Sequence, residues 1–199
     1  MDTVAWGDVV SSLGMAIGLA ACAGLRAWLP LLLAGALARG GFLTLGPSFA
    51  FLAGNRALIL FGVATVIEIV GDKFPAVDHA LDMLSTVLRP AAGTLLAASV
   101  MWEVHDPLTA LAIGMAVGAP SALVPHAAKT VLRAASTALT GGLANPLVSV
   151  VEDVMAVGMF ILSVVVPLIA AAVLVSVAIL VARRLARRPA PTPPALRTT

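Results

Sequence analysis

Two long stretches of this 199-residue chain contain no charged side chain. Residues 107–128 form an uncharged run of 22 residues, and residues 154–182 form one of 29. About 20 apolar residues in a helix cross the hydrocarbon core of a bilayer. These runs do not alternate apolar and polar residues, as the strands of an outer-membrane barrel do. The sequence therefore predicts an all-α, polytopic membrane helix bundle.

Composition agrees with this prediction and excludes several other classes of protein. Apolar residues make up 60% of the chain and charged residues 11%, whereas soluble domains carry roughly 25% charged residues. The single cysteine, Cys22, excludes a disulfide framework and a multi-cysteine metal site. The basic C-terminal tail lacks interleaved aromatic residues, which argues against nucleic-acid binding. No nucleophile–base constellation is present, so we predict neither enzymatic activity nor a cofactor.

The apolar runs and their breaks divide the chain into six predicted membrane segments. Between the second and third segments, apolar and polar side chains of residues 72–89 fall on opposite faces of a helix, which predicts an amphipathic helix on the membrane surface. We predict a single membrane domain over residues 1–188 and a disordered cytoplasmic tail over residues 189–199. The six segments are 11–38 (interrupted at Arg26 and Pro30), 57–71, 90–102, 107–129, 146–162 and 168–182.

Basic residues indicate the orientation, because Lys and Arg concentrate in cytoplasmic loops. With the N-terminus inside, only Arg39 and Arg56 would lie outside. Both termini are therefore predicted to be cytoplasmic, as an even number of segments requires. The basic residues on the cytoplasmic side would be Lys73, Arg89, Lys129, Arg133 and the four tail arginines.

The two halves of the sequence align element by element. Leu29-Pro30 matches Val124-Pro125, residues 66–68 match 150–152, and residues 90–99 match 167–176. These matches predict an internal repeat, with halves at about 11–102 and 107–188. Three segments per half would insert the halves in opposite orientations. Inverted three-helix repeats are a transporter architecture, with the binding site near the midplane.

Several ionisable residues fall within or beside the predicted segments, where each costs a few kcal/mol and usually faces the bundle interior. Glu68 and Asp72 share one helix face, where two carboxylates repel unless a cation or proton lies between them. The repeat places Glu68 and Glu152 at equivalent positions, which predicts a central carboxylate pair. The predicted ion- or substrate-binding residues are Arg26, Glu68, Asp72, His126, Lys129, Glu152 and Asp153.

Other interpretations of these charges remain open. Arg26, Lys73 and Lys129 would neutralise the acids as interhelical ion pairs, or Arg26, Lys129 and Arg133 would capture anionic head groups. If Arg26 is paired, its partner is expected to be Glu68, Glu152 or Asp153. His126 is interpreted as a hydrogen-bond donor in helix packing rather than a ligand. Weak candidates for metal ligands are Asp78, His79 and Asp82, although a solvated face of a surface helix normally carries such residues.

The chain also resembles a bacterial membrane-protein family. The motifs are Leu25-Arg26-Ala27-Trp28-Leu29-Pro30, then Glu68-x-x-x-Asp72-Lys73-x-Pro75-x-x-Asp78-His79-x-x-Asp82, Arg89-Pro90, Asn145-Pro146 and Glu152-Asp153. The family is catalogued as domain of unknown function 4126. The resemblance covers about residues 12–180. It implies a membrane fold of six or so helices, a bacterial inner-membrane location and no established activity.

A more distant similarity concerns cation exchangers related to lysine exporters. Those families carry Glu-x-Gly-Asp-Lys/Arg-Ser/Thr in both inverted halves. In residues 68–73 one residue is inserted, Phe74 replaces the hydroxyl residue, and the second half keeps only Glu152-Asp153. The similarity implies cation coordination by these acids.

Together these features predict a small secondary transporter or exporter with midplane carboxylates, Glu68 and Glu152, that couple to a cation or to protons. Its expected partners are membrane lipids and a small ion or small molecule. Whether the protein forms a homo-oligomer is left open by the sequence. The alternatives are a non-transporting scaffold or accessory subunit, and a lipid-handling membrane protein.

Overall fold

All regular secondary structure in the described part of the chain is helical, as predicted. The computed structural model describes residues 6–72 and 75–167, with 169, 175–176, 179–180 and 182–184; for residues 6 and 75–83 only the backbone is described. No strand occurs among these residues. The helices are α1 (Trp6–Leu25), α2 (Trp28–Arg39), a 3-10 helix (Pro47–Ala53), α3 (Asn55–Gly71), α4 (Pro75–Ser99), α5 (Pro107–Thr140) and α6 (Asn145–Val165).

Three of the described helices are long and apolar enough to cross a bilayer, namely α1 from Gly7, α5 and α6. The 3-10 helix and α3, which are bent by 58°, give a fourth if they form one span. Helix α2 is apolar but has only 12 residues, about 18 Å of helix. Side chains such as Ile59, Leu108 and Leu147 are 67–76% exposed, which suits contact with lipid. The predicted segment 168–182 lies mostly outside the described residues.

The first predicted segment, 11–38, is two helices rather than one interrupted span. Helix α1 ends at Leu25 and α2 begins at Trp28. Ser12, near the start of α1, lines the same cavity as residues 42–44 after α2, so the chain reverses between the two helices. A straight span would have left the Arg26 guanidinium inside hydrocarbon, whereas the reversal places it among carboxylates. The end of the bundle that holds Ser12 and residues 42–44 is termed the N-terminal end.

The remaining helices continue to alternate in direction. Arg39 donates a hydrogen bond to Asn55, so α3 begins where α2 ends. The carbonyl of Ser99 accepts from the N–H of Gly46 at 2.8 Å, which places the end of α4 at the N-terminal end. Val164 lines the cavity there as well. Helices α1, α3 and α5 therefore run away from the N-terminal end, and α2, α4 and α6 run back towards it.

Two predicted boundaries are absent because helices continue through them. The predicted surface helix, 72–89, and the third segment, 90–102, share the single helix α4, with Pro90 inside it. Helix α5 continues past residue 129 to Thr140, where Gly141 adopts a left-handed φ of 63°. Proline removes one backbone donor from a helix, but neighbouring helices in a membrane bundle support the helix around such a position.

Small residues let α1, α4 and α5 approach closely. A Cβ atom on Gly118 of α5 would lie 2.3 Å from the carbonyl oxygen of Gly93 on α4. A Cβ on Gly24 of α1 would lie 2.1 Å from the carbonyl oxygen of Ala122. Such contacts between backbones are typical of helix packing in membranes, where dispersion replaces the hydrophobic effect between helices. These three helices form the tightly packed centre around which the charged residues are placed.

Candidate functional site

Eight charged side chains lie together beyond the last turn of α1, and they come from four helices, α3 to α6, and from the break between α1 and α2. Four are acidic and four are basic, so their formal charges balance. Seven are at most 8% exposed, and the Asp153 side chain is 26% exposed. Removing a charge from water costs several kcal/mol unless it is paired. This group, termed the charge network, comprises Arg26, Glu68, Asp72, Arg89, Lys129, Arg133, Glu152 and Asp153.

Arg26 lies in the break between α1 and α2 and is fully buried. Its Nε atom is 2.6 Å from Oδ1 of Asp153, and its Nη1 atom binds Asp72. Its Nη2 atom donates to Ser149 Oγ at 2.8 Å. One guanidinium thus joins the end of α1 to α3 and α6. The predicted ion pair between Arg26 and a carboxylate is present, with Asp153 as one partner and Asp72 as a second.

Glu68 satisfies the backbone at the start of α2. Its carboxylate accepts hydrogen bonds from the N–H groups of Ala27 at 3.0 Å and Trp28 at 3.3 Å. The first N–H groups of a helix have no partner within the helix and carry partial positive charge, so a carboxylate stabilises them. Arg89 Nη2 lies 4.0 Å from Glu68 Oε1. Glu68 therefore fixes the reversal of the chain.

Asp72 and Glu152 share two bases of α5. Lys129 Nζ lies 2.9 Å from Glu152 Oε2 and 3.6 Å from Asp72 Oδ2. Arg133 contacts Glu152 with two nitrogens, Nε at 3.2 Å and Nη2 at 3.3 Å, and Asp72 at 3.1 Å. Lys129 and Arg133 are one helical turn apart, so both point to the same place. The two bases connect the end of α3 to the second turn of α6.

His126 contacts the network through Arg89, whose Nη1 atom lies 2.6 Å from His126 Nδ1. A guanidinium can only donate hydrogen bonds, so Nδ1 must accept and the proton of the neutral imidazole must be on Nε2. This contact concerns Nδ1 alone, and the prediction that His126 donates a hydrogen bond in helix packing stays a prediction for Nε2.

A partly enclosed cavity of about 280 Å³ adjoins the network between α1, α5 and α6. Lys129 and Glu152 are the two charged residues of its wall, and the rest of the lining is apolar, including Leu25, Leu132 and Met155. The ion pair between Lys129 and Glu152 is thus the part of the network that borders open space.

Most predicted site residues meet in this network, but not in the predicted arrangement. Glu68 and Glu152 bind separate partners rather than forming an isolated carboxylate pair. The network also lies at the ends of α1 and α3 rather than at their middles. The described residues contain no group of three or more His, Cys, Asp or Glu side chains placed to hold a metal ion. The side chains of Lys73, Asp78, His79 and Asp82 lie outside the described residues.

The sequence pattern does not predict the ion pairs of Arg89 and Arg133 or the contact of Ser149 with Arg26. The four-residue spacing of Lys129 and Arg133 was the available signal for Arg133, because it places two cations on one helix face opposite the acids. The amphipathic pattern places Arg89 on a predicted surface helix, whereas its place in the network follows from the continuity of α4 through Pro90. Ser149 carried no sequence signal.

Comparison with known proteins identifies a family without assigning an activity. The family model described as "Domain of unknown function (DUF4126)" matches residues 13–188. No significant match was found among curated proteins or among solved structures. The matched region includes every helix from α2 to α6 and the whole charge network. The chain therefore belongs to the DUF4126 family of domains of unknown function.

Proposed function

We propose that this protein is a secondary transporter that exchanges a small cation or cationic solute for protons. One observation carries the proposal: the Lys129 ammonium lies between Asp72 of α3 and Glu152 of α6, at the wall of a cavity. Two carboxylates that bind an ammonium from the protein itself have the charge and spacing to bind a cation from outside. Lys129 then acts as a tethered competitor for the transported cation.

The charge balance of the network would couple the entry of a cation to the release of a proton. If a monovalent cation entered between Asp72 and Glu152, the network would gain one positive charge, which is costly in a buried site. Loss of one proton from Lys129 restores neutrality, and the released proton leaves in exchange for the cation. Lysine can lose its proton when buried, whereas arginine remains charged. Among the side chains that the structure describes, Lys129 is the only lysine of the network, so the exchange depends on it.

The direction of the helices supports the finer proposal of two inverted halves. The sequence alignment pairs α2 with the second half of α5, and α3 with α6. In each of these two pairs the helices run in opposite directions, as inverted halves require, whereas α1 and α5, which open the two halves, run in the same direction. Glu68 and Glu152, which the alignment makes equivalent, both join the charge network from these antiparallel helices. We propose that segment 168–182 completes the second half as the counterpart of the second part of α4.

A second candidate function is a non-transporting scaffold, and the balance of four acids against four bases favours it. In that case the network only holds helices together, and breaking a pair costs stability without affecting any flux. The two functions make different predictions for a change that keeps the charge of Lys129 and removes its ability to lose a proton.

The test uses proteoliposomes that contain the full chain and the pH-sensitive dye pyranine. Na⁺, K⁺, Mg²⁺, Mn²⁺ or lysine is added outside, and the internal pH is recorded. With the wild-type protein, at least one of these probes should raise the internal pH as protons leave. Lys129→Arg should abolish this rise and leave the melting temperature nearly unchanged. Asp106→Asn is the matched control, because it alters a charged residue outside the network and Asn also caps helices well.

Two outcomes would overturn the proposal. If no probe changes the internal pH of wild-type vesicles, while Glu152→Gln strongly lowers the melting temperature, the network is a scaffold. If exchange occurs and Lys129→Arg retains it, protons do not pass through Lys129 and the coupling is wrong.

A further inference from the structure

A second cavity, of about 240 Å³, lies at the N-terminal end of the bundle, away from the charge network. It is formed by the first turns of α1, the loop after α2 and the loop after α4. Its lining combines a carboxylate, Asp8, with the hydroxyl groups of Ser11 and Thr44. Two aromatic residues, Phe42 and Trp102, also line the cavity, and both are exposed. No basic residue lines this cavity among the described residues.

The two acids of this region differ in whether their carboxylates already accept a side-chain hydrogen bond. Glu103 Oε1 accepts a hydrogen bond from Ser12 Oγ at 2.6 Å, which ties the loop after α4 to α1. The Asp8 carboxylate forms no ion pair or side-chain hydrogen bond with the residues that the structure describes. Asp8 is therefore the acid of the cavity lining that has no side-chain partner among the described residues.

We infer that this cavity binds a small organic cation, an ammonium group that carries apolar substituents. The Asp8 carboxylate would neutralise its charge, and the aromatic rings of Phe42 and Trp102 would attract it through their electron-rich faces. Cation–π attraction contributes about 0.5–1 kcal/mol at exposed sites and more where the cation is desolvated. The thioether of Met15 adds a polarisable apolar surface.

Other ligand classes fit this lining less well. Calcium takes about 6–8 oxygen ligands, and the cavity offers one unengaged carboxylate and a few hydroxyls beside aromatic rings. An anion would meet Asp8 without any basic partner. Drug-sized ligands occupy pockets of roughly 300 Å³ or more, so a cavity of about 240 Å³ suits a smaller molecule. The inference rests on the proposed function in one respect: such a cation would be the transported solute, entering at the N-terminal end.

Binding is measured on the purified full chain in detergent, with tetramethylammonium chloride as the probe and sodium chloride at equal ionic strength as the reference. Tetramethylammonium should raise the melting temperature in a saturable way that sodium does not reproduce. Asp8→Asn and Trp102→Leu should each weaken the apparent affinity about tenfold, equivalent to 1.4 kcal/mol. Trp102→Phe should retain most of it, because the aromatic face is kept.

Asp106→Asn is the control, since it removes the same charge near the same end of the bundle without touching the cavity. If Asp106→Asn weakens binding as much as Asp8→Asn, or if sodium stabilises the protein equally, the site is only a region of negative potential and the inference is wrong. The two proposals fail separately. Exchange of an inorganic cation in vesicles without tetramethylammonium binding would overturn this inference alone, and binding without any exchange would overturn the transport proposal alone.

Discussion

Replacing Arg26 by leucine should destabilise the protein more than any change on its surface. The substitution leaves four acids facing three bases inside the network. Asp72 keeps Lys129 and Arg133 as partners, so the acid chiefly stranded is Asp153, whose side chain is 26% exposed. Breaking a buried pair costs about 3–5 kcal/mol, and this partial exposure places the loss near the lower end. For a chain of this size, a loss of that order lowers the melting temperature by roughly 6–12 °C.

Thermal melting of the purified protein in detergent measures this loss. Arg26→Leu with Asp153→Asn should recover about half of it, because the stranded charge is gone while the contact with Ser149 Oγ is still missing. The control is Arg56→Leu, which removes an exposed arginine and should cost less than about 0.5 kcal/mol. If Arg26→Leu melts like Arg56→Leu, the buried pairing of Arg26 does not hold the bundle together and the network is not its structural centre.

Three further predictions concern the reversal of the chain and the packing of the helices. A reporter fused before Gly7 should be found outside the cell, on the same side as a reporter in the loop at Glu103, because α1 begins at the end opposite the charge network. This prediction differs from the cytoplasmic N-terminus expected from the basic residues, because the reversal at Arg26 adds a helix before α3; reporters on opposite sides of the membrane would contradict the reversal. Gly118→Ala should lower stability by about 1–3 kcal/mol through overpacking, whereas Gly158→Ala, with nothing within 4 Å of its added Cβ, should be neutral or slightly stabilising in the same melting assay. Glu68→Ala should cost about 3–5 kcal/mol, because it removes the hydrogen bonds to the start of α2 and a buried negative charge that faces Arg89. Glu68→Gln should cost less because the amide oxygen can still accept, and a Glu68→Ala variant that melts like the wild-type protein would show that these contacts contribute little.

The fold class followed from the sequence because apolar length and low charge are set by the solvent around the helices. The positions at which helices continue or end were not predictable in the same way. A proline ends most helices in water, but Pro90 lies inside α4, where neighbouring helices hold the backbone on both sides of it. The sequence shows an interruption of the first segment at Arg26, but it does not show that the chain reverses direction there. A reversal depends on Glu68 binding the N–H groups of α2, and that contact joins residues about forty positions apart.

The residues of the site were more predictable than their arrangement. A charge inside an apolar segment must find a partner, so Arg26, Glu68, Asp72, Lys129 and Glu152 could be selected without a structure. Which acid binds which base depends on helix direction and rotation, which hydropathy does not encode.

A fully paired charge network is compatible with both a non-transporting scaffold and an exchanger, so pairing alone does not decide between the two functions. The identity and position of the bases carry more information. Arginine suits a permanent ion pair, because it stays charged and can contact a carboxylate with two nitrogens, as Arg133 does with Glu152. Among the described residues, Lys129 is both the one lysine of the network and the one base that borders the cavity between α1, α5 and α6. A scaffold gains nothing from a base that can lose its charge at the wall of a cavity, whereas the proposed exchanger requires such a base there.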